Sequence, residues 1–191
     1  RTGWRWATRS TNLIYPPETG TKSVNMTPGH YTTYYHSPIG LMRISGTDSF
    51  IHEISFYDKS EKADTKHKQL PPVIIHCLEQ LIQYFNGQLR QFDLPVQQEG
   101  TAFQQNVWAQ LQSIPFGKTV SYLDMARQLG DPKVIRAAAS ANGKNNIAIV
   151  VPCHRVIGSD RSLVGYAGGL WRKKWLLDHE MKIAYGVQTL F

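Results

Sequence analysis

Pro152, Cys153, His154 and Arg155 follow directly on a β-branched apolar run, Ile147, Ile149, Val150 and Val151. The run predicts a buried strand, and Pro152, which has no N–H for a ladder, predicts where it stops. A thiol and an imidazole at such a stop are the parts of a nucleophile presented from a rigid floor. Sulfur attacks as the thiolate, so Cys153 requires a nearby base or a positive field. Adjacency alone does not supply either. For an arbitrary Cys-His pair the default is a core thiol beside a satisfied imidazole, because free cysteine is among the most buried residue types.

The elements that must carry this stretch follow from periodicity. Tyr31–His36 and Leu41–Ser45 predict strands joined by the turn signal Ser37-Pro38-Ile39-Gly40, and Ile51–Tyr57 predicts a third. Asp58–Gln69, with Lys59, Lys62, Lys66, His67 and Lys68, predicts a solvated surface loop. Pro71-Pro72 opens a helix whose apolar face is Val73, Ile74, Cys77, Leu78, Leu81, Ile82 and Phe85, ended by Asn86-Gly87. Cys77 on that stripe reads as core. Arg90–Glu99 predicts an extended linker. Thr101 caps the next helix, with Phe103, Val107, Trp108 and Leu111 inward and Ile114-Pro115-Phe116-Gly117 as its end. Ser121 and Asp124 stand at capping-box spacing before Leu123, Ala126 and Leu129, and Gly130-Asp131-Pro132 breaks that helix. Lys133–Ala141 follows as a small-residue helix with Arg136 in its middle, and Asn142–Asn146 as a polar turn. Helix, short turn, helix is the helix-turn-helix pattern, used with its second helix against DNA, although helical hairpins also occur for packing alone.

Charge separates the chain into parts. Residues 101–191 carry eleven Lys or Arg and five Asp or Glu, a net of +6, whereas residues 30–100 have a net of −2. A positive C-terminal half suits a phosphate backbone. Residues 1–29 mix Thr, Ser, Gly, Pro and Arg with Trp4 and Trp6 and show no period; they are expected to be a poorly ordered leader or a non-native remnant, with Met26 a candidate natural start. No run is apolar enough to span a membrane, and no secretory h-region follows Arg1, Arg5 and Arg9. Two cysteines, Cys77 and Cys153, make no disulfide framework, so an intracellular, reducing compartment, cytoplasmic or nuclear, is expected. His30, His36, His52, His67 and His76 show no ligand spacing with Cys77, so no metal is expected.

Pro152-Cys153-His154-Arg155-Val156, then Gly165-Tyr166-Ala167-Gly168-Gly169, then Arg172-Lys173-Lys174-Trp175-Leu176-Leu177-Asp178-His179-Glu180, resembles the O6-alkylguanine-DNA alkyltransferases over residues 32–182. The resemblance implies direct transfer of an alkyl group from guanine oxygen to Cys153, once per chain, without a cofactor, after the nucleotide is flipped from the minor groove of double-stranded DNA. By position, His154 matches the base that draws the thiol proton through a water, and Glu180 the carboxylate that orients the imidazole. Asn145 matches the asparagine that ties the turn above the cysteine, and Tyr122 a contact to the flipped nucleotide able to protonate the leaving guanine. Arg136 matches the arginine that fills the vacated stack, with Ala137 and Lys133 beside it against DNA. Lys173 is placed with the DNA contacts near the active-site loop; the run Arg172–Lys174 also reads as solvated charge. Tyr166, Gly168, Val156 and Pro152 are expected to wall the base pocket.

Two positions depart from the family pattern. Ala139 stands for the usual Gly, an extra methyl expected to loosen the DNA fit, and Asn146 for the usual Pro, expected to slacken the turn. The fold expected is α/β. A small N-terminal antiparallel sheet plus helix occupies 30–99, and a mainly helical DNA-binding and alkyl-acceptor domain with the helix-turn-helix occupies 100–191. A monomer that does not contact membrane is expected. The rival reading is a non-catalytic DNA-damage recognition protein or helix-turn-helix regulator in which Cys153 is a passenger.

Overall fold

Strand alternation does most of the work at the N-terminus. The computed structural model describes residues 29–58 and 69–186; the expected leader, apart from Gly29, and Lys59, Lys62, Lys66, His67 and Lys68 lie outside them. β1 (Tyr31–Ser37), β2 (Gly40–Gly46) and β3 (Ile51–Phe56) form an antiparallel sheet in the order β1-β2-β3. Its register sets Thr33, Ile44 and Ile54 across from one another, and Tyr35, Met42 and Phe56. These residues share one face, as the period of two requires, and Met42, Ile44 and Ile54 are fully buried.

That face is covered by α1 (Pro72–Phe85), which begins with Pro72 where a missing N–H costs nothing. Its buried side is Ile74, Cys77, Gln80, Leu81, Tyr84 and Phe85. Ile82, expected inward, is 42% exposed: the helical stripe is narrower than the apolar pattern and takes Gln80 instead. The Gln80 amide closes a two-way hydrogen bond with the backbone of Asp93, each 2.9 Å. Together with the parallel bridge Ile51–Val96, it straps the expected linker to the sheet.

α2 (Ala102–Gln112) starts with a complete capping box between Thr101 and Gln104. Trp108 on its inner face donates its indole N–H to the Ala141 carbonyl, 2.9 Å away, tying α2 to α4 (Ile135–Gly143). β4 (Val120–Ser121) leads into α3 (Tyr122–Gln128), capped by Ser121, whose hydroxyl accepts from the Asp124 N–H at 3.0 Å and donates to its carboxylate. The residues α3 buries are Tyr122, Met125 and Ala126, one step round from the expected Leu123, Ala126 and Leu129. Gly130 at φ 97 turns the chain through a 3-10 turn, Pro132–Val134, into α4. β5 (Val156–Ile157) pairs in parallel with β4, and α5 (Leu170–Tyr185) ends at Gly186 in the left-handed region. Among the described residues no helix is long and apolar enough to cross a membrane.

Candidate active site

The expected strand before Cys153 is not a strand. Only Ile147 pairs, as a parallel bridge with Ile54; residues 148–150 then turn, and the Val151 N–H returns to the Ile147 carbonyl at 3.0 Å. Burial on every side gives strands and buried turns the same apolar composition, so the run could not separate them. Ile149 sits at φ 72, a strained conformation for a β-branched residue. Asn145 holds the turn. Its carboxamide oxygen accepts from the Ile147 N–H at 3.1 Å, and its Nδ2 donates to the carbonyls of Val151 (2.8 Å) and Ile147 (3.4 Å). Asn146 does not leave the turn slack: its N–H donates to the Gln98 side chain at 2.7 Å, a bond proline could not make, and its carbonyl accepts from Ile54. The turn delivers Cys153 as the first residue of a 3-10 turn, Cys153–Arg155.

Behind that turn lies a buried hub on Glu180 of α5. Its Oε1 accepts from Tyr84 Oη at 2.9 Å, His154 Nε2 at 2.8 Å and Arg155 Nη2 at 3.0 Å. Its Oε2 accepts from Arg155 Nε and the Gly117 N–H, both at 2.9 Å. Arg155 Nη1 is spent on the Ile114 carbonyl. Burial works to raise the Glu180 carboxyl, but His154 and Arg155 outweigh it and hold it well below the ordinary range. Arg155 is the cation that balances this carboxylate. Burial pushes the His154 imidazole down, against the pull of Glu180, so it is neutral. An ionised carboxylate only accepts, so Nε2 carries the proton and Nδ1 keeps its lone pair. Nδ1 meets no hydrogen-bonding group among the described residues. A neutral, fully enclosed imidazole with a free basic nitrogen, held in one tautomer, has the form that general-base chemistry requires. Arg155, Tyr84 and Gly117 were not singled out from sequence. Arg155 stood inside the motif, whereas Tyr84 and Gly117 carried no local signal.

Cys153 is 6% exposed. Burial pushes its thiol up, opposed by the Asn145 side chain, the Lys173 charge and the N–H groups of Cys153 and His154. Lys173 corrects its expected place among the DNA contacts. It is fully buried, its Nζ donating to the carbonyls of Val164 (2.6 Å) and Gly165 (3.3 Å), because α5 runs beneath the loop rather than along the surface. Burial brings its pKa down to about 8, with Cys153 pulling the other way. Arg172, read as solvated charge, is also buried, while Lys174 pairs with Asp178 at the surface. Replacing Lys173 by methionine is expected to slow the reaction of Cys153 about tenfold or more at pH 7, the worth of one charge-assisted contact. Since the ammonium loses its proton near pH 8, the deficit shrinks above that pH. A deficit equal at all pH values in single-turnover kinetics would reduce Lys173 to a loop tether.

Tyr122 is 8% exposed, accepts from Asn142 Nδ2 at 3.3 Å, and has its phenol raised by burial and then by Cys153. A cavity of about 190 Å³ reaches Cys153 and is lined by Phe56, Ala148, Tyr166, Ala167 and Gly168 among others. Two of the four expected pocket walls do not line it. Val156 is fully buried in the β4–β5 ladder, and Pro152 faces a separate cleft of about 540 Å³ with Phe116 and Arg155. On α4 and the turn before it, Lys133, Arg136 and Ala137 are exposed on one surface, and Ala138 and Ala141 are buried against the core. The Ala139 methyl packs half-buried on that core, so it is not an addition to the exposed face.

The chain is similar to known proteins over most of its length. Residues 30–98 match the 6-O-methylguanine DNA methyltransferase ribonuclease-like domain, and residues 102–182 match the 6-O-methylguanine DNA methyltransferase DNA-binding domain. The chain is 44% identical over 156 residues to the methylated-DNA–protein-cysteine methyltransferase of Mycolicibacterium paratuberculosis, covering 81% of this chain and 94% of that protein. With the constitutive Bacillus subtilis protein of that name it is 38% identical over 162 residues, covering 82% and 98%. The crystal structure of Mycobacterium tuberculosis O6-methylguanine methyltransferase superposes with a TM-score of 0.73 at 39% identity, covering 83% of this chain and 97% of that one. Mycobacterium tuberculosis OGT in complex with DNA gives 0.71 at 40% identity, covering 81% and 93%.

Proposed function

The chain belongs to the 6-O-methylguanine DNA methyltransferase family, and from that membership we propose how its own residues carry out repair by alkyl transfer to cysteine. Cys153 is the acceptor. Its thiol proton passes through a water to Nδ1 of His154, the thiolate attacks the alkyl carbon, an S–C bond forms and the C–O6 bond breaks. The electron pair stays on the guanine, which takes a proton from Tyr122. The proton on His154 then returns through solvent to the Tyr122 phenolate, so thiol and alkylguanine become thioether and guanine, and atoms and charge balance with no cofactor. The thioether has no route back to a thiol, so each chain acts once.

The single observation that carries this reading is a thiol at the wall of a cavity, one residue from a neutral imidazole locked by Glu180 at 2.8 Å. Cys153 is nearly enclosed, so a base inside a duplex must be flipped to reach it. The exposed residues of α4 suit the minor groove, with Arg136 filling the vacated stack and Lys133 and Ala137 beside it. All proposed roles come from one chain, which suits a monomer.

Intact mass after incubation with a duplex carrying O6-methylguanine, followed by peptide mapping, tests the proposal. One methyl per chain on the peptide holding Cys153 is the expected result; no gain, or a gain at Cys77, overturns it. Arg136→Ala is expected to slow transfer from a paired lesion about tenfold or more. The deficit should shrink when the lesion faces a mismatched base, where flipping costs less. An equal deficit on both duplexes would make Arg136 a phosphate contact only.

A further inference from the structure

Substitution at carbon has a geometric consequence for any alkyl group larger than methyl. The attacking sulfur and the leaving oxygen lie on opposite sides of the carbon, so every further atom of the chain must leave that line sideways. The space beside Cys153 therefore decides which groups fit. That space is the cavity of about 190 Å³, smaller than the roughly 300–1,000 Å³ of ordinary ligand pockets. Part of its wall does not come from the DNA-binding half: Glu53–Phe56 of β3 and Asp58 line it, and Phe56 is the ring among them.

Phe56 is fixed there. The Arg172 guanidinium lies over its ring at 4.5 Å from the centroid. The Tyr166 ring is 6.2 Å away, and a methyl on Gly168 would fall 2.4 Å from Phe56 Cδ2, so the loop closes directly on the ring. Arg172 has no freedom to release it. Its Nε donates to the Ile39 carbonyl at 2.8 Å, its Nη1 to Asp58 and to the Gly168 carbonyl at 2.9 Å each, and its Nη2 to Asp58. One buried arginine thus binds the end of β3, the β1–β2 turn and the Tyr166–Gly168 loop into one wall.

We propose that Phe56, locked by Arg172, is a specificity-determining residue that sets the largest alkyl group Cys153 accepts. The N-terminal sheet thereby selects the substrate as well as supporting the site. The inference rests on Cys153 being the acceptor. Because each chain reacts once, it records a single choice. Protein is given an equimolar excess of two duplexes, one with O6-methylguanine and one with O6-benzylguanine, and intact mass reads the partition between methyl and benzyl adducts. Unfolded chains acquire neither group and drop out of the ratio.

Phe56→Ala is expected to raise the benzyl-to-methyl ratio about tenfold or more, within the range set by small changes in apolar pockets. Phe56→Leu should move it the same way by less. A ratio unmoved in both variants overturns the proposal. Wild-type protein that acquires neither group would instead overturn the assignment of Cys153.

Discussion

Replacing Glu180 by glutamine is expected to lower the stability of the folded chain by about 3–5 kcal/mol, the cost of leaving a buried charge without its partner. For a chain of this length that is a fall in melting temperature of roughly 6–20 °C. The amide is nearly isosteric and can still accept from Tyr84 or His154. It cannot neutralise Arg155, whose guanidinium makes two of the five hydrogen bonds to the carboxylate and is 6% exposed. From either position the glutamine NH2 would also face Arg155, donor against donor.

The same carboxylate sets the acid limb of stability. Its folded pKa lies well below the unfolded value of about 4.3, so between the two the unfolded chain binds more protons. Stability from this group is complete above about pH 4.3 and is lost as pH falls below it toward the folded value. Thermal melts across that window should fall less steeply with acid in Glu180→Gln than in the wild type. Equal slopes would mean that some other carboxylate governs acid unfolding.

The hub also marks the boundary of what sequence could disclose. Strand and helix positions were legible wherever one face is wet: the alternation in β2 and the capping box at Thr101 each have local causes. Ile147–Val151 was illegible because it is buried on nearly every side, so nothing alternates, and its shape is dictated by the Asn145 side chain. The charge run at Arg172–Lys174 misled for a similar reason. Lysine and arginine are rarely buried unless paired, and their partners here are carbonyls of Ile39, Val164, Gly165 and Gly168, which no residue type announces. The motif residues Cys153, His154, Asn145 and Glu180 were found through resemblance. What the structure adds is a role for Arg155: burial keeps the imidazole neutral, and Arg155, which balances Glu180, works in the same direction.

Cys153→Ala is expected to abolish alkyl transfer and to leave binding to a duplex carrying O6-methylguanine intact. The change removes one sulfur from a nearly enclosed site, and neither the Glu180 hub nor the exposed residues of α4 depend on it. Cys77 cannot replace it. That thiol is fully buried on α1, with its pKa pushed up to about 12 by burial, so it has neither access nor thiolate at neutral pH. Cys77→Ala should therefore transfer normally, provided it folds. Titrating labelled duplex with Cys153→Ala at two salt concentrations reads the second half of the prediction. Affinity should persist and weaken with salt, as a phosphate contact from exposed Lys133 would require. Transfer that survives in Cys153→Ala would place the acceptor elsewhere. Binding lost together with transfer would make the sulfur a structural support of the DNA surface. Binding kept while transfer is lost separates recognition, carried by α4, from chemistry carried by one atom in the turn that Asn145 holds.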